Sequence, residues 1–121
     1  MEFNQYNTTV QQWIHTVLEN RETNADVVLE CCRDIIAYGR ETDDPKLMGF
    51  GFFYGGEIYY ELNDGAHFFH MMTEALTYLD RAEEWELVVR CYNFLGIASM
   101  SRGNPSLALD YYMNGLKDSD T

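Results

Sequence analysis

The sequence predicts an all-α fold of six helices, paired into three antiparallel hairpins. Three observations carry this. A faint internal repeat of 40 residues brings the helix-capping residues Asn24, Asp64 and Asn104 into register. Apolar positions agree in that register: Ile14, Tyr54 and Phe94; Val28, Phe68 and Ala108; Leu29, Phe69 and Leu109; Cys32, Met72 and Tyr112; Ile36, Leu76 and Leu116. Each cap is followed by apolar residues at helical spacing. Self-similarity at this period marks a stack of units, none of which buries its apolar face alone. The units 1–40, 41–80 and 81–121 make one helical repeat domain of the whole chain.

The first helix is expected over roughly Tyr6 to Asn20, with Val10, Trp13, Ile14, Val17 and Leu18 on one stripe. The second follows Asn24 and runs to about Tyr38, with Gly39 as its stop. Asp44-Pro45 is a start signal for the third, because Asp caps a helix and Pro is tolerated at its first position. The run Gly49 to Tyr60 is poor helix material: four glycines cost about 1 kcal/mol each against Ala, and its aromatics favour strands. Local propensity makes it a strand. Its 40-residue equivalent, Val89 to Met100, reads as a helix, and that equivalence makes it a helix whose glycines permit close packing. The fourth helix follows the Asn63-Asp64-Gly65 turn to about Asp80, and the fifth spans roughly Glu83 to Ser101. Gly103-Asn104-Pro105 repeats the turn-and-cap pattern, so the sixth runs from Pro105 to about Lys117.

Charge narrows the function. The chain carries a net −12, which repels a nucleic-acid backbone and anionic lipid alike. Residues 41–80 hold eight carboxylates against Lys46 alone, a net of −7. A cationic partner is favoured there. No apolar stretch approaches the ~20 residues of a membrane span. Residues 1–20 lack the pattern of a signal peptide, and Met1 reads as a native start. Cys31, Cys32 and Cys91 form no CxxC and suit a reduced, cytoplasmic setting.

The third unit resembles a tetratricopeptide repeat. Tyr92-x-x-Leu95-Gly96 followed by Ala108-x-x-x-Tyr112 matches the family's spacing, and Gly103-Asn104 with Ala108 resembles its inter-helix turn. The middle unit keeps Gly56 and Ala75, and the first has Thr16 in the glycine place. With its longer period, the chain is similar to regulatory tetratricopeptide domains at the N-terminus of bacterial signalling proteins, such as diguanylate cyclases and peptide-sensing regulators. The resemblance implies a right-handed solenoid with a binding role. It also implies that the first helix of each pair lines a concave face. Carried over through Thr16, Gly56 and Gly96, this face holds Val10, Trp13, Val17, Phe50, Phe53, Glu57, Tyr60, Glu61, Arg90, Asn93, Ile97 and Met100.

Chemistry is poorly supported by comparison. His67, His70 and Glu74 share a face of the fourth helix and are the candidate metal ligands; solvated positions between core residues account for them better, since no second ligand cluster is visible in the sequence. Gly49, Gly51, Gly55 and Gly56 match neither phosphate-loop pattern. Glu57 and Glu61, one turn apart, are a carboxylate pair without a catalytic partner. The resulting expectation is a non-enzymatic, cofactor-free module of a signalling protein that binds a basic, partly apolar protein segment. The alternatives are a small helical metalloprotein or enzyme, and a structural homo-oligomer. Leu107, Leu109, Tyr111, Tyr112 and Leu116 on the sixth helix exceed what one inner face holds, so a homodimer through the C-terminal hairpin, at Leu109, Tyr112 and Leu116, is expected. The lack of a capping helix after the sixth is compatible with an N-terminal piece of a longer protein.

Overall fold

The computed structural model describes residues 1–119, with the side chains of residues 118 and 119 left aside. Six helices follow one another: α1 (Thr8–Asn20), α2 (Ala25–Glu41), α3 (Pro45–Glu61), α4 (Gly65–Arg81), α5 (Trp85–Ser101) and α6 (Pro105–Ser119). No strand occurs among the described residues. Each helix packs mainly on those next to it in the chain, giving an all-α arrangement of consecutive hairpins.

The turns show why the spacing is so regular. Asp43, Asn63, Glu83 and Gly103 all have positive φ, at 52°, 58°, 57° and 77°, and they recur every 20 residues. Each donates its N–H three residues back, and the next residue donates five residues back: Asp43 to Arg40 and Asp44 to Gly39 in the first case, Gly103 to Met100 and Asn104 to Ser99 in the last. This closes the preceding helix by a Schellman motif. The residue that completes it also opens the following helix. Asp44, Asp64 and Asn104 each accept from a backbone N–H three residues on, at 3.2 Å. Glu84 occupies the same place without a side-chain bond. One helix plus one turn is thus a 20-residue backbone unit, and the 40-residue repeat is two of them. The turn after α1 departs from this pattern: Thr23 and Asn24 both donate to the Asn20 carbonyl.

Three boundaries differ from expectation. α1 starts at Thr8 because Asn7, not an earlier residue, caps it through Val10 N–H at 2.9 Å. α2 continues past Gly39 to Glu41, and its stop is the Thr42-Asp43 turn. Gly39 is instead a packing residue: a Cβ there would lie 2.9 Å from Met48 Cγ and 3.1 Å from Leu47 Cβ. α5 starts at Trp85 rather than Glu83 because Glu83 is the positive-φ residue.

α3 is helical throughout, and it is buried without a break from Leu47 to Ile58. The strand preference of its aromatics loses to tertiary packing. A Cβ on Gly49 would meet Leu79 of α4 at 2.6 Å, and one on Gly51 would meet Ile36 of α2 at 2.6 Å. The glycines therefore let two neighbouring helices approach α3 closely. Around it lies the core, with Val28, Ile35, Leu47, Phe50, Phe53, Phe68, Met72, Leu79, Val88 and Leu95 essentially inaccessible to solvent.

Candidate functional site

The face shared by α1, α3 and α5 is organised by one carboxylate. Glu57 is the one charged residue in the buried run Leu47–Ile58 of α3, and its side chain is only 11% exposed. Such a group needs charged partners. Arg21, just past α1, donates from Nε to Oε1 at 2.8 Å and from Nη2 to Oε2 at 2.6 Å. Arg90 of α5 donates from Nη2 to Oε2 at 3.3 Å. The two guanidinium groups also lie over aromatic rings of α3: Arg21 over Tyr54 at 5.1 Å and Arg90 over Phe53 at 4.8 Å. Burial by itself would lower the Arg21 pKa; the hydrogen bonds and charge of Glu57, with Tyr54 and Glu22 nearby, together raise it. The triad holds three hairpins together at one point. One carboxylate between two guanidinium groups leaves the centre of the face with one positive charge in excess and no free negative charge.

Three clefts lie near this centre. One, of about 530 Å³, lies between the turn after α1 and the end of α3, lined by Arg21, Glu22, Asn24, Glu57, Glu61 and Leu62. A second, of about 170 Å³, is bounded by Leu18, Phe50, Tyr54, Leu87 and Arg90, with Glu84 and Glu86 at its side. Met1 and Phe3 line it too. The third, of about 430 Å³, lies between Tyr60, Glu61, Phe68, Phe69 and Arg102. Arg102 stacks over Phe69 at 4.4 Å. Glu61, which is exposed, borders the first and third clefts.

Several residues expected on the binding face are placed differently. Val10, Val17, Phe50 and Phe53 are core residues, at most 1% exposed. Their side chains turn inward because α1 and α3 bury that stripe against neighbouring helices. Trp13 is half-buried against Tyr38 of α2, the ring centroids 6.3 Å apart, so it does not report on the α3 clefts. Tyr60 is half-buried, packed 5.4 Å from both Phe68 and Phe94, with an edge in the third cleft. Glu61, Asn93, Ile97 and Met100 are exposed, and Arg90 is partly so. Of the expected dimer residues, Leu109 and Leu116 are exposed at 59% and 64%. Tyr112 is half-buried instead, its ring filling the space a Cβ on Gly96 would need, at 2.7 Å.

Sequence reasoning missed Arg21. Its 40-residue equivalents are Glu61 and Ser101, so the repeat carried no signal for it. A signal did exist at Glu57: a lone carboxylate inside Leu47–Ile58 must recruit a cation from elsewhere.

His67 is committed locally. Its Nδ1 lies 2.8 Å from Asp64 Oδ2, and its ring stacks on Tyr59 at 4.7 Å. Among the described residues, no group of three or more His, Cys, Asp or Glu converges as a metal site, so His67, His70 and Glu74 do not form one. All three cysteines are free. Burial pushes the Cys91 thiol up to about 12 and raises Cys32 still further, which makes both poor nucleophiles at neutral pH. No helix among the described residues is long and apolar enough to cross a membrane. No protein-family model, curated protein or solved structure matches the chain.

Proposed function

We propose that this chain is a non-catalytic, tetratricopeptide-like binding module, a cytoplasmic regulatory part of a signalling protein, whose α1/α3/α5 face takes a basic, partly apolar protein segment. The observation that carries the reading is the charge left on that face once Glu57 is paired. Glu22 and Glu61 border one cleft and Glu86 another, where Glu84 is paired with Lys46 at 4.0 Å, within a chain of net −12. Apolar walls from Leu18, Leu62 and Leu87 lie beside these carboxylates. Such a surface attracts cations at long range and supplies contact energy at short range.

Binding should therefore weaken as salt rises, since exposed charges are screened over ~8–10 Å at physiological ionic strength. The test is a panel of basic, neutral and acidic peptides of equal apolarity, titrated by calorimetry at low and high salt. Glu61→Lys is the diagnostic variant, because Glu61 is exposed and unburdened by the triad; it should slow association with the basic peptides. Equal binding of all three peptide classes, without salt dependence, would remove this reading.

Self-association is a second reading, favoured by α6. Leu109, Met113 and Leu116 are each more than half exposed, and exposed apolar rows of this kind mark interfaces. We place the homodimer contact on this row, with Tyr112 serving the α5–α6 packing. Light scattering at micromolar concentration should give twice the chain mass, and Leu109→Glu should restore the single mass. A strict monomer would end the dimer reading.

A further inference from the structure

The second cleft is already narrowed by the chain itself: Met1 and Phe3 lie along it and leave about 170 Å³ open. Residues 1–6 belong to no helix, and their one internal backbone bond runs from Tyr6 N–H to the Phe3 carbonyl at 3.2 Å. They are held in place by side chains. Phe3 sits edge-on against Phe50 of α3, with ring centroids 5.2 Å apart. Lys46 Nζ donates to the Glu2 carbonyl and lies 5.1 Å from the Phe3 ring centroid. Tyr6 is half-buried beside it, and burial together with Asp44 raises its phenol pKa. The cleft walls come from α1 (Leu18), α3 (Phe50, Tyr54) and α5 (Leu87, Arg90), the three helices of the proposed binding face.

This is how an extended peptide is received: one aromatic side chain enters an apolar cleft while a cation takes a main-chain carbonyl. A main-chain carbonyl carries no sequence information, so any segment with a suitably placed aromatic residue fits the same groups. We propose that this cleft is a docking subsite for an aromatic side chain of an incoming extended segment, and that Phe3 is its occupant in cis. The proposal rests on the reading that the α1/α3/α5 face binds protein segments, and adds what the segment must carry. A tethered occupant acts as a local competitor at high effective concentration. An incoming segment must displace it, which lowers the apparent affinity by the fraction of time the cleft is open.

The experiment uses the full chain and a synthetic peptide of residues 1–7 added in trans. Full-length Phe3→Ala should bind this peptide at least about tenfold more tightly than the unaltered chain, because the competitor is weakened. Amide shifts should cluster at Leu18, Leu87 and Arg90 by nuclear magnetic resonance. Leu18→Glu in the Phe3→Ala background should cut that affinity by about tenfold, since Leu18 lines the cleft and is 41% exposed. Equal affinity for the two chains overturns the proposal. So does a natively folded Phe3→Ala chain that does not bind. Should Phe3→Ala fail to fold, Phe3→Leu weakens the occupant without altering the groups that receive the peptide, and is expected to give the same order of affinities. Failure here leaves the salt-sensitive binding of basic peptides as a separate result. Failure of that binding leaves peptide 1–7 as an independent reading of the cleft.

Discussion

α3 and α6 belong to the same stack and use the same packing device, yet their burial is opposite. α3 is buried from Leu47 to Ile58. In α6, through Lys117, only Ala108 and Gly115 are buried. Both rely on glycine for close approach: Gly49 meets Leu79, and Gly96 receives Tyr112. The difference is the number of neighbours. α3 lies between α2 and α4, and its aromatic side reaches α5 through Phe53 and Phe94, 6.0 Å apart. α6 packs principally on α5. Burial in this protein is therefore decided by place in the stack, and helix propensity is secondary. The helix with four glycines and the strongest strand character is the most enclosed one.

Substitution should reproduce that contrast. Phe53→Ala in α3 removes a fully buried ring and should cost about 3–5 kcal/mol in urea unfolding. Leu109→Ala in α6, measured at concentrations where the chain is a monomer, should change stability by less than about 0.5 kcal/mol. A loss above about 1 kcal/mol at Leu109 would break the comparison and show that α6 is covered in solution.

A finer test lies within α3. Gly49→Ala drives a methyl to 2.6 and 2.7 Å from Leu79 Cδ2 and Cγ, with the Leu79 backbone nitrogen 3.2 Å away. Relief requires α4 to shift, so a loss of about 1–3 kcal/mol is expected. At Gly55, the close neighbour is the flexible methyl end of Met71. Its movement is cheap, and Ala favours a helix over Gly by about 1 kcal/mol. Gly55→Ala should leave the melting temperature unchanged or raise it. Equal losses at the two glycines would mean that α3 resists any added volume, whatever it touches.

A gain in stability is expected at the turns. Glu83 adopts φ 57° where Asn63 and Gly103 hold the equivalent positions. Glutamate is poorly suited to that conformation, which glycine accepts freely. Glu83→Gly should stabilise the chain by about 1 kcal/mol. A loss on this substitution would show that the Glu83 side chain contributes more than its backbone costs.

Much of the helical plan was legible because its determinants are local. A cap such as Asp64 and the N–H it accepts from, that of His67, are three residues apart. The alternation of apolar positions along α2 and α4 likewise needs no knowledge of the rest of the chain. The repeat register was also legible at Gly56 and Gly96, whose facing residues are Met72 and Tyr112, each 16 positions on. Gly39 misled because glycine serves both as a helix stop and as a packing surface, and only the position of Met48 distinguishes them.

The candidate face was less legible, since it depends on which helices meet. A periodic pattern shows that Phe50, Phe53 and Glu57 lie on α3, but not what lies opposite each of them. Their partners stand far away in sequence: Phe3 for Phe50, Arg21 for Glu57, and Phe94 for Phe53. By itself, the sequence determined the all-α plan, the caps and the acidity of the middle unit, because helix formation and net charge arise from neighbouring residues and from composition. Only the tertiary structure decided that Phe50 and Phe53 are core, that Glu57 is paired with Arg21 and Arg90, and that Phe3 lines a cleft. Those outcomes depend on distances across the stack, which are set when close-packed helices exclude every arrangement but one.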